Sequence, residues 1–245
     1  MIYVRDGSKL KTVKERNSIM TIATTAYCGF CELGEEIQWF TDLGAVELKQ
    51  NDIVVGSIQD MKAAFARFGV ELPIIEYPME LRQYFGRDIW IEQSLQKLIS
   101  EERTGIFIKP AEGMKKFTGT VIKKPIDYCN LFFEEDIAVA CSTVLDIVSE
   151  WRCYICNGKI MGVKHYAGDA FIPPQKSFVE EVLAAYTTAP AGFSLDVGVL
   201  KDGTNIVIEV NDGYSLGVYG ILPLPYAKLL AARYSQLMGV RDYYS

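Results

Sequence analysis

The chain has 245 residues, and 25 Lys and Arg against 31 Asp and Glu leave a net charge of −6 at pH 7. A hydrophobic fraction of 49% with 12% aromatics is ample for a packed core, which excludes a disordered tail, and the length suits one large domain or a small one joined to a larger. The single histidine, His165, excludes His-pair zinc catalysis and leaves Ser/His or Cys/His chemistry one available base. No run approaches the roughly 18 uninterrupted apolar residues of a membrane span, and the opening MIYVRDGSKLKTVKER lacks the apolar core of a secretory signal, so a cytoplasmic protein is expected. An acidic balance without a Lys/Arg-dense face argues against nucleic acid as the main partner.

Along the chain, Cys28-Gly-Phe-Cys31 comes first and reads as a pair of structural thiols, since no histidine is near and no second usable pair completes a metal set. From Glu36 to about Pro78, short apolar runs (Ile37 to Phe40, Ile53 to Val55) alternate with a helical pattern at Ile58 to Phe68, as in a small α/β unit. Met79 to about Ser100, with Leu81, Tyr84, Phe85, Ile89, Trp90, Leu95 and Leu98, reads as largely helical. After Gly105 the pattern turns strand-rich. Ile106 to Lys109 is a strand stopped by Pro110, a loop runs from Ala111 to Gly119, and a second strand covers Thr120 to Lys123.

Asn157-Gly158 marks a two-residue hairpin between Arg152 to Cys156 and Lys159 to Lys164. Cys153 and Cys156 lie on that first strand at an odd offset, on opposite faces and about 10 Å apart at ~3.3 Å per residue, so they cannot share a metal or a disulfide. Ser177 and Glu180 form a capping box for a helix through about Tyr186, Asp202-Gly203 is a second hairpin turn, and a helix from about Pro225 to Met238 ends at Gly239.

The segment Ser194 to Asn211 carries the most chemistry. With Asp202-Gly203 as a two-residue loop, paired positions sum to 405, so Asp196 faces Glu209 with Cβ atoms about 5 Å apart, and Asn211 shares their face. The other face collects Leu195, Val197, Val199, Ile206, Ile208 and Val210. Facing carboxylates destabilise a hairpin unless something positive lies between them. Two carboxylates and an amide oxygen are the hard donors that Mg²⁺ takes, with water and phosphate completing its octahedron; a solvated acidic face is the plainer alternative. Lys109 stands at a strand end before a loop with Gly113, Lys115, Lys116 and Gly119, where backbone N–H groups and a fixed cation can meet a phosphate. Arg152 and Lys164 flank the Asn157-Gly158 hairpin, with Glu150 opposite His165. Ideal pairing puts Arg152 and Lys164 on opposite faces, so a joint phosphate contact requires a bulge or bend.

In this order, strand-Lys109-Pro110, a glycine-bearing loop, Ser149-Glu-Trp-Arg152, Val163-Lys164, Leu195-Asp196-Val and Ile208-Glu209-Val-Asn211, the chain resembles the ATP-grasp superfamily over about residues 105 to 239. The resemblance implies an α+β fold in which two α+β subdomains grip ATP, preceded by a small α/β N-terminal domain. The expected boundaries are 1–85 for that domain and 86–245 for the ATP-grasp part, with a smaller lid at about 105–140. It implies that Lys109 contacts ATP phosphates under the Gly113 to Gly119 loop, with Lys115 and Lys116 beside it, and that Arg152, with Lys164, neutralises phosphate charge. It also implies that Asp196, Glu209 and Asn211 hold one or two Mg²⁺. Ser142, Thr143 and Val144 fall where the family wraps adenine; Thr143 replaces the usual acid or amide, leaving Asp146 or Glu150 for the ribose.

The activity implied is joining of a carboxylate, on a small molecule or peptide, to an amine through an acyl phosphate, without a membrane partner and with a homodimer left open. Such chemistry relies on positioning and charge neutralisation rather than on a histidine base. A kinase of the same fold and a non-catalytic nucleotide-binding protein are the alternatives. The loops at Asp212 to Ser215 and His165 to Asp169 would border the acceptor pocket, and Arg233 is either a substrate-carboxylate ligand or a structural ion pair.

Overall fold

The computed structural model describes residues 1–10, 12–111, 116–131 and 135–245. The first elements are β1 (Ile2–Arg5), α1 (Val13–Glu32), β2 (Ile37–Phe40), β3 (Ile53–Val55) and α2 (Ile58–Ala66). The three strands form a parallel sheet in the order β2-β1-β3. Both helices begin on capping boxes, Thr12 with Glu15 and Ser57 with Asp60, which satisfy the free N–H groups of the first turn. Ile19, Ile22, Ala23, Ala26 and Phe30 recur at helical spacing and form the buried stripe of α1. Neither β1 nor α1 is assigned from the sequence. The Thr and Ile content of α1 lowers its helix propensity, and tertiary packing decides the outcome.

Next come β4 (Ile89–Glu92), α3 (Leu95–Ser100), β5 (Ile106–Pro110), β6 (Thr120–Ile122) and β7 (Val139–Thr143), an antiparallel sheet in the order β4-β7-β5-β6. The expected helix from Met79 to Ser100 is corrected: a 3₁₀ turn covers Met79–Tyr84, and Gly86, with φ of 62°, breaks it before a strand begins. Ile89, Trp90 and Ile91 mimic helical spacing with their predecessors, yet β-branched and aromatic residues pair readily, here with Ala140 to Ser142. Ile106, Ile108, Ile122, Val139, Leu95 and Leu98 pack a small core in this unit, Phe85–Asp146.

The remaining elements, β8 (Ile147–Cys156), β9 (Lys159–Gly168), α4 (Lys176–Ala185), β10 (Gly192–Leu200), β11 (Asn205–Asp212) and α5 (Pro223–Met238), form a second antiparallel sheet, β11-β10-β8-β9, and its helices. They join Met1–Tyr84 in one unit. Its core runs from Val4, Val54 and Phe65 through Phe30 of α1 to Tyr226, Leu229 and Ala231 of α5 and Tyr154 of β8. Each valine, leucine or phenylalanine of this set, fully buried, contributes about 1.5–3 kcal/mol. α4 starts at Lys176 with Gln175 as an unbonded cap, so the expected Ser177 capping box does not form. α5 begins with Pro223 in its first turn and ends at Gly239 in the left-handed region, as its sequence signals require.

All six cysteines are free: Cys141, Cys153 and Cys156 are buried, Cys28 is half-buried, and Cys31 and Cys129 are exposed. Cys28 and Cys31 lie on α1. Among the described residues no helix is long and apolar enough to cross a membrane.

Candidate active site

The β10–β11 hairpin places the carboxylates. Asp196 lies opposite Glu209 and Ser194 opposite Asn211, as the sequence predicts, although by a different route. The loop has three residues, Lys201 to Gly203, with Leu200 and Thr204 bonded across it and Gly203 at φ of 87°. That shifts the register by one near the turn, and a bulge at Ile208 shifts it back before Glu209. Ile206 consequently pairs with Gly198 and, with Ile208 and Ile147, surrounds the space beside Gly198 on the Asp196 face instead of joining the Val197 face.

Arg152 lies opposite Asp196 on β8. Its Nε and Nη2 donate to Asp196 Oδ1 and Oδ2 at 2.8 and 2.7 Å, a bidentate pair in which Arg152 is 7% and Asp196 2% exposed. Asn211 Nδ2 donates to Asp196 Oδ2 at 3.2 Å and to Glu209 Oε1 at 3.1 Å, tying the two acids together. The positive charge that a facing carboxylate pair requires is therefore supplied by Arg152. Burial pushes the Asp196 carboxyl up to about 6; the Arg152 bonds oppose this, and the Glu209 and Glu150 charges add to it. Burial alone would lower the Arg152 pKa, but the hydrogen bonds and charge of Asp196 outweigh it and hold the guanidinium firmly protonated.

The β8–β9 hairpin turns at Asn157 and Gly158, both with positive φ, then departs twice from ideal pairing. A bulge at Met161 sets Arg152 opposite Lys164, so the two cations share a face. The same shift sets His165 opposite Trp151, with ring centroids 5.1 Å apart, and a second bulge at Tyr166 then moves Glu150 opposite Ala167. The Glu150/His165 pairing expected from the sequence is thus replaced. Tyr166 hydrogen-bonds Glu150 instead, and burial followed by the charges of Asp196, Glu150 and Glu209 raises its phenol pKa strongly. β9 runs to Gly168, so His165 to Gly168 is strand where the sequence predicts a loop.

Two aromatic contacts here have no counterpart in the sequence reading. Tyr219 stacks on Tyr166 at 5.2 Å, and the Arg152 guanidinium lies 5.0 Å from the Tyr219 centroid. Tyr219 has φ of 41° and is 49% exposed. The sequence signals for this contact are Tyr219-Gly220, a turn pair, and the bulge that aims Tyr166, which no pattern of alternation reveals. Tyr154 also donates to the carbonyls of Gly217 and Val218, holding the segment after β11 against β8.

Arg233 is fully engaged: Nε and Nη2 meet both oxygens of Asp212, and Nη1 donates to Gln236 at 2.7 Å. This is the structural ion pair of the two readings. Ser215 Oγ donates to the Gly56 carbonyl at 3.0 Å.

The other predicted residues belong to the Phe85–Asp146 unit. Lys109 lies in β5 opposite Ala140, one residue before the strand ends at Pro110. A Cβ on Gly119 would lie 2.5 Å from the tip of the Phe107 ring and 3.4 Å from Lys109 Cβ, so a larger residue there requires the Phe107 ring to move. Lys116 pairs with Glu135 at 3.8 Å. Ser142 is buried in β7, Thr143 ends that strand exposed with its N–H on the Asp88 carbonyl, and Val144 is exposed. Gly113 and Lys115 lie outside the described residues.

Among the described residues no three His, Cys, Asp or Glu side chains gather as a metal set; the set formed here is two carboxylates and an amide. Solved structures share the architecture. D-alanine–D-alanine ligase from Bacillus anthracis aligns with a TM-score of 0.61 at 14% identity, covering 97% of each chain. The D-cycloserine synthetase DcsG aligns at 0.57 and 10% identity, covering 96% of this chain and 99% of its own. A RimK domain ATP-grasp protein from Sphaerobacter thermophilus aligns at 0.54 and 12%, covering 94% and 97%. No curated protein matches by sequence. The family model for an ATP-grasp domain, family 2 of its clade, matches residues 84–229, more than half of the chain, and the protein belongs to that ATP-grasp family.

Proposed function

We propose that this protein is a Mg- and ATP-dependent ligase that joins a carboxylate to an amine through an acyl phosphate. The observation that carries the reading is the single sheet face on which Arg152, Lys164, Asp196, Glu209 and Asn211 converge within an ATP-grasp fold. The Phe85–Asp146 unit would contain the lid, at about 105–140, within an ATP-grasp part running from about residue 86, with residues 1–85 as the preceding domain. Lys109 would meet the phosphates together with Gly113, Lys115 and Lys116. The backbone of Ser142, Thr143 and Val144 would take the adenine, with Glu150 or Asp146 on the ribose. A cytoplasmic setting agrees with six unpaired cysteines, two of them exposed.

The donor set fits a hard divalent cation. Glu209 would hold Mg²⁺ by its carboxylate and Asn211 by its amide oxygen once that amide, whose nitrogen here faces both acids, turns over, and Asp196 would share its oxygens between the cation and Arg152. When bound, the ion would supply charge neutralisation at the ATP phosphates. The cations of this sheet face, Arg152 and Lys164, would position the γ-phosphate and offset its charge where it develops in transfer. The substrate carboxylate oxygen attacks the γ-phosphorus and ADP leaves; the amine nitrogen then attacks the acyl carbon, phosphate departs and the nitrogen gives up its proton. Neither step needs a histidine, and His165 packs on Trp151.

Product analysis with a panel of acids and amines tests the reading. ADP, free phosphate and a new amide are expected. ADP with a phosphorylated acceptor would make the protein a kinase, and ATP binding without ADP release on any acceptor would make it a non-catalytic nucleotide binder.

A further inference from the structure

We propose that the exposed side of α1, with the neighbouring edge strand β2, is the interface of a two-fold symmetric dimer of this chain. From Asn17 to Cys31 the helix carries no charged residue. Its inner stripe is core, but Met20, Thr24 and Tyr27, spaced i, i+4, i+7, face outward, with Met20 51% and Tyr27 37% exposed. Depletion of charge around exposed Met and aromatic side chains is the mark of an interface centre rather than of a solvated helix face. The Tyr27 ring lies 5.4 Å from that of Trp39 in β2, itself 51% exposed, so the patch continues onto the sheet. β2 is an outer strand with the sequence Ile37-Gln-Trp-Phe40, lacking the Lys, Pro or charge that ordinarily blunts an open edge.

The charges at the two ends of α1 identify the occupant as a second copy. Lys14 is exposed in the first turn and Glu32 is exposed at the last residue. They are 18 residues apart, five turns at about 3.6 residues each, and so lie along one flank. A second α1 packed antiparallel about a two-fold axis near Thr24 sets Lys14 of each copy beside Glu32 of the other. A parallel arrangement would set like charges together. The short side chains of Thr21 and Thr24 at the centre allow close approach, and the same axis brings the two β2 edges together antiparallel.

Sedimentation equilibrium of the full chain in the micromolar range tests this. The expected mass is twice the 27.5 kDa of the chain. Trp39→Glu is expected to give a monomer with an unchanged circular dichroism spectrum. Lys14→Glu and Glu32→Lys should each raise the dimer dissociation constant by about 2- to 30-fold, through two symmetric ion pairs, and the double variant should restore it. Both changes suit the helix dipole, so folding is not endangered. A monomeric wild type at tens of micromolar, a dimer indifferent to Trp39→Glu, or a double variant no tighter than the single ones would each overturn the proposal.

Discussion

Arg152 and Asp196 form a buried pair whose two members depend on each other. Removing the cation alone leaves a carboxylate nearly out of water beside Glu209, so Arg152→Met is expected to cost about 3–5 kcal/mol in urea unfolding. Replacing both, Arg152→Met with Asp196→Leu, should recover most of that loss while leaving ATP-dependent turnover absent, which separates folding from function. Tyr219 adds a second restraint on the same guanidinium. A non-glycine residue held at positive φ retains strain that its surroundings must offset, here by the Tyr166 stack and the Arg152 contact. Tyr219→Phe preserves both contacts and should leave steady-state kinetics near wild type. Tyr219→Ala should lower turnover by about 2- to 30-fold, the range of a cation–π contact, with little change in unfolding midpoint.

At the scale of elements, α1 and α5 meet at Gly29. An alanine inside an exposed helix is favoured over glycine by about 1 kcal/mol, but a Cβ at Gly29 would lie 2.1 Å from the Pro223 carbonyl oxygen and 2.7 Å from Ala227. Gly29→Ala is therefore expected to destabilise the protein by at least about 2 kcal/mol in chemical denaturation, opposite in sign to propensity. The hairpins show how much of the site is legible in the sequence. Turn residues and alternation give Asp196 opposite Glu209 with Asn211 beside them, because loop shift and bulge cancel at that point. At β8–β9 the bulges do not cancel by Glu150, so the Glu150/His165 pairing read from ideal register is replaced and Arg152 gains Lys164 as a same-face neighbour. Bulges respond to twist and to contacts distant in sequence, and leave no mark on the local pattern. The strand at Ile89 is hidden for a related reason: only its pairing with β7 overrides a helical spacing. The Arg152–Asp196 bond depends on β8 and β10 being neighbours, which hairpin reading alone does not supply.

For the whole molecule, the mild acidity and single histidine of the sequence fit the proposed site, which would work by cations and oxygen donors. Some of the acidity is internal: Asp196 is buried against Arg152, and Asp212 against Arg233. Mg-ATP binding to the folded chain should raise the unfolding free energy by about 2.7 kcal/mol at 100-fold excess over Kd, and chelation of magnesium should remove most of that gain in a thermal melt. Whether Glu209 and its face bind Mg-ATP is decided by isothermal titration of ATP in the presence and absence of Mg²⁺, for wild type and Glu209→Gln. Saturable, Mg-dependent binding that Glu209→Gln nearly abolishes is the predicted result; equal ATP affinity in wild type and variant, or affinity indifferent to Mg²⁺, would contradict it.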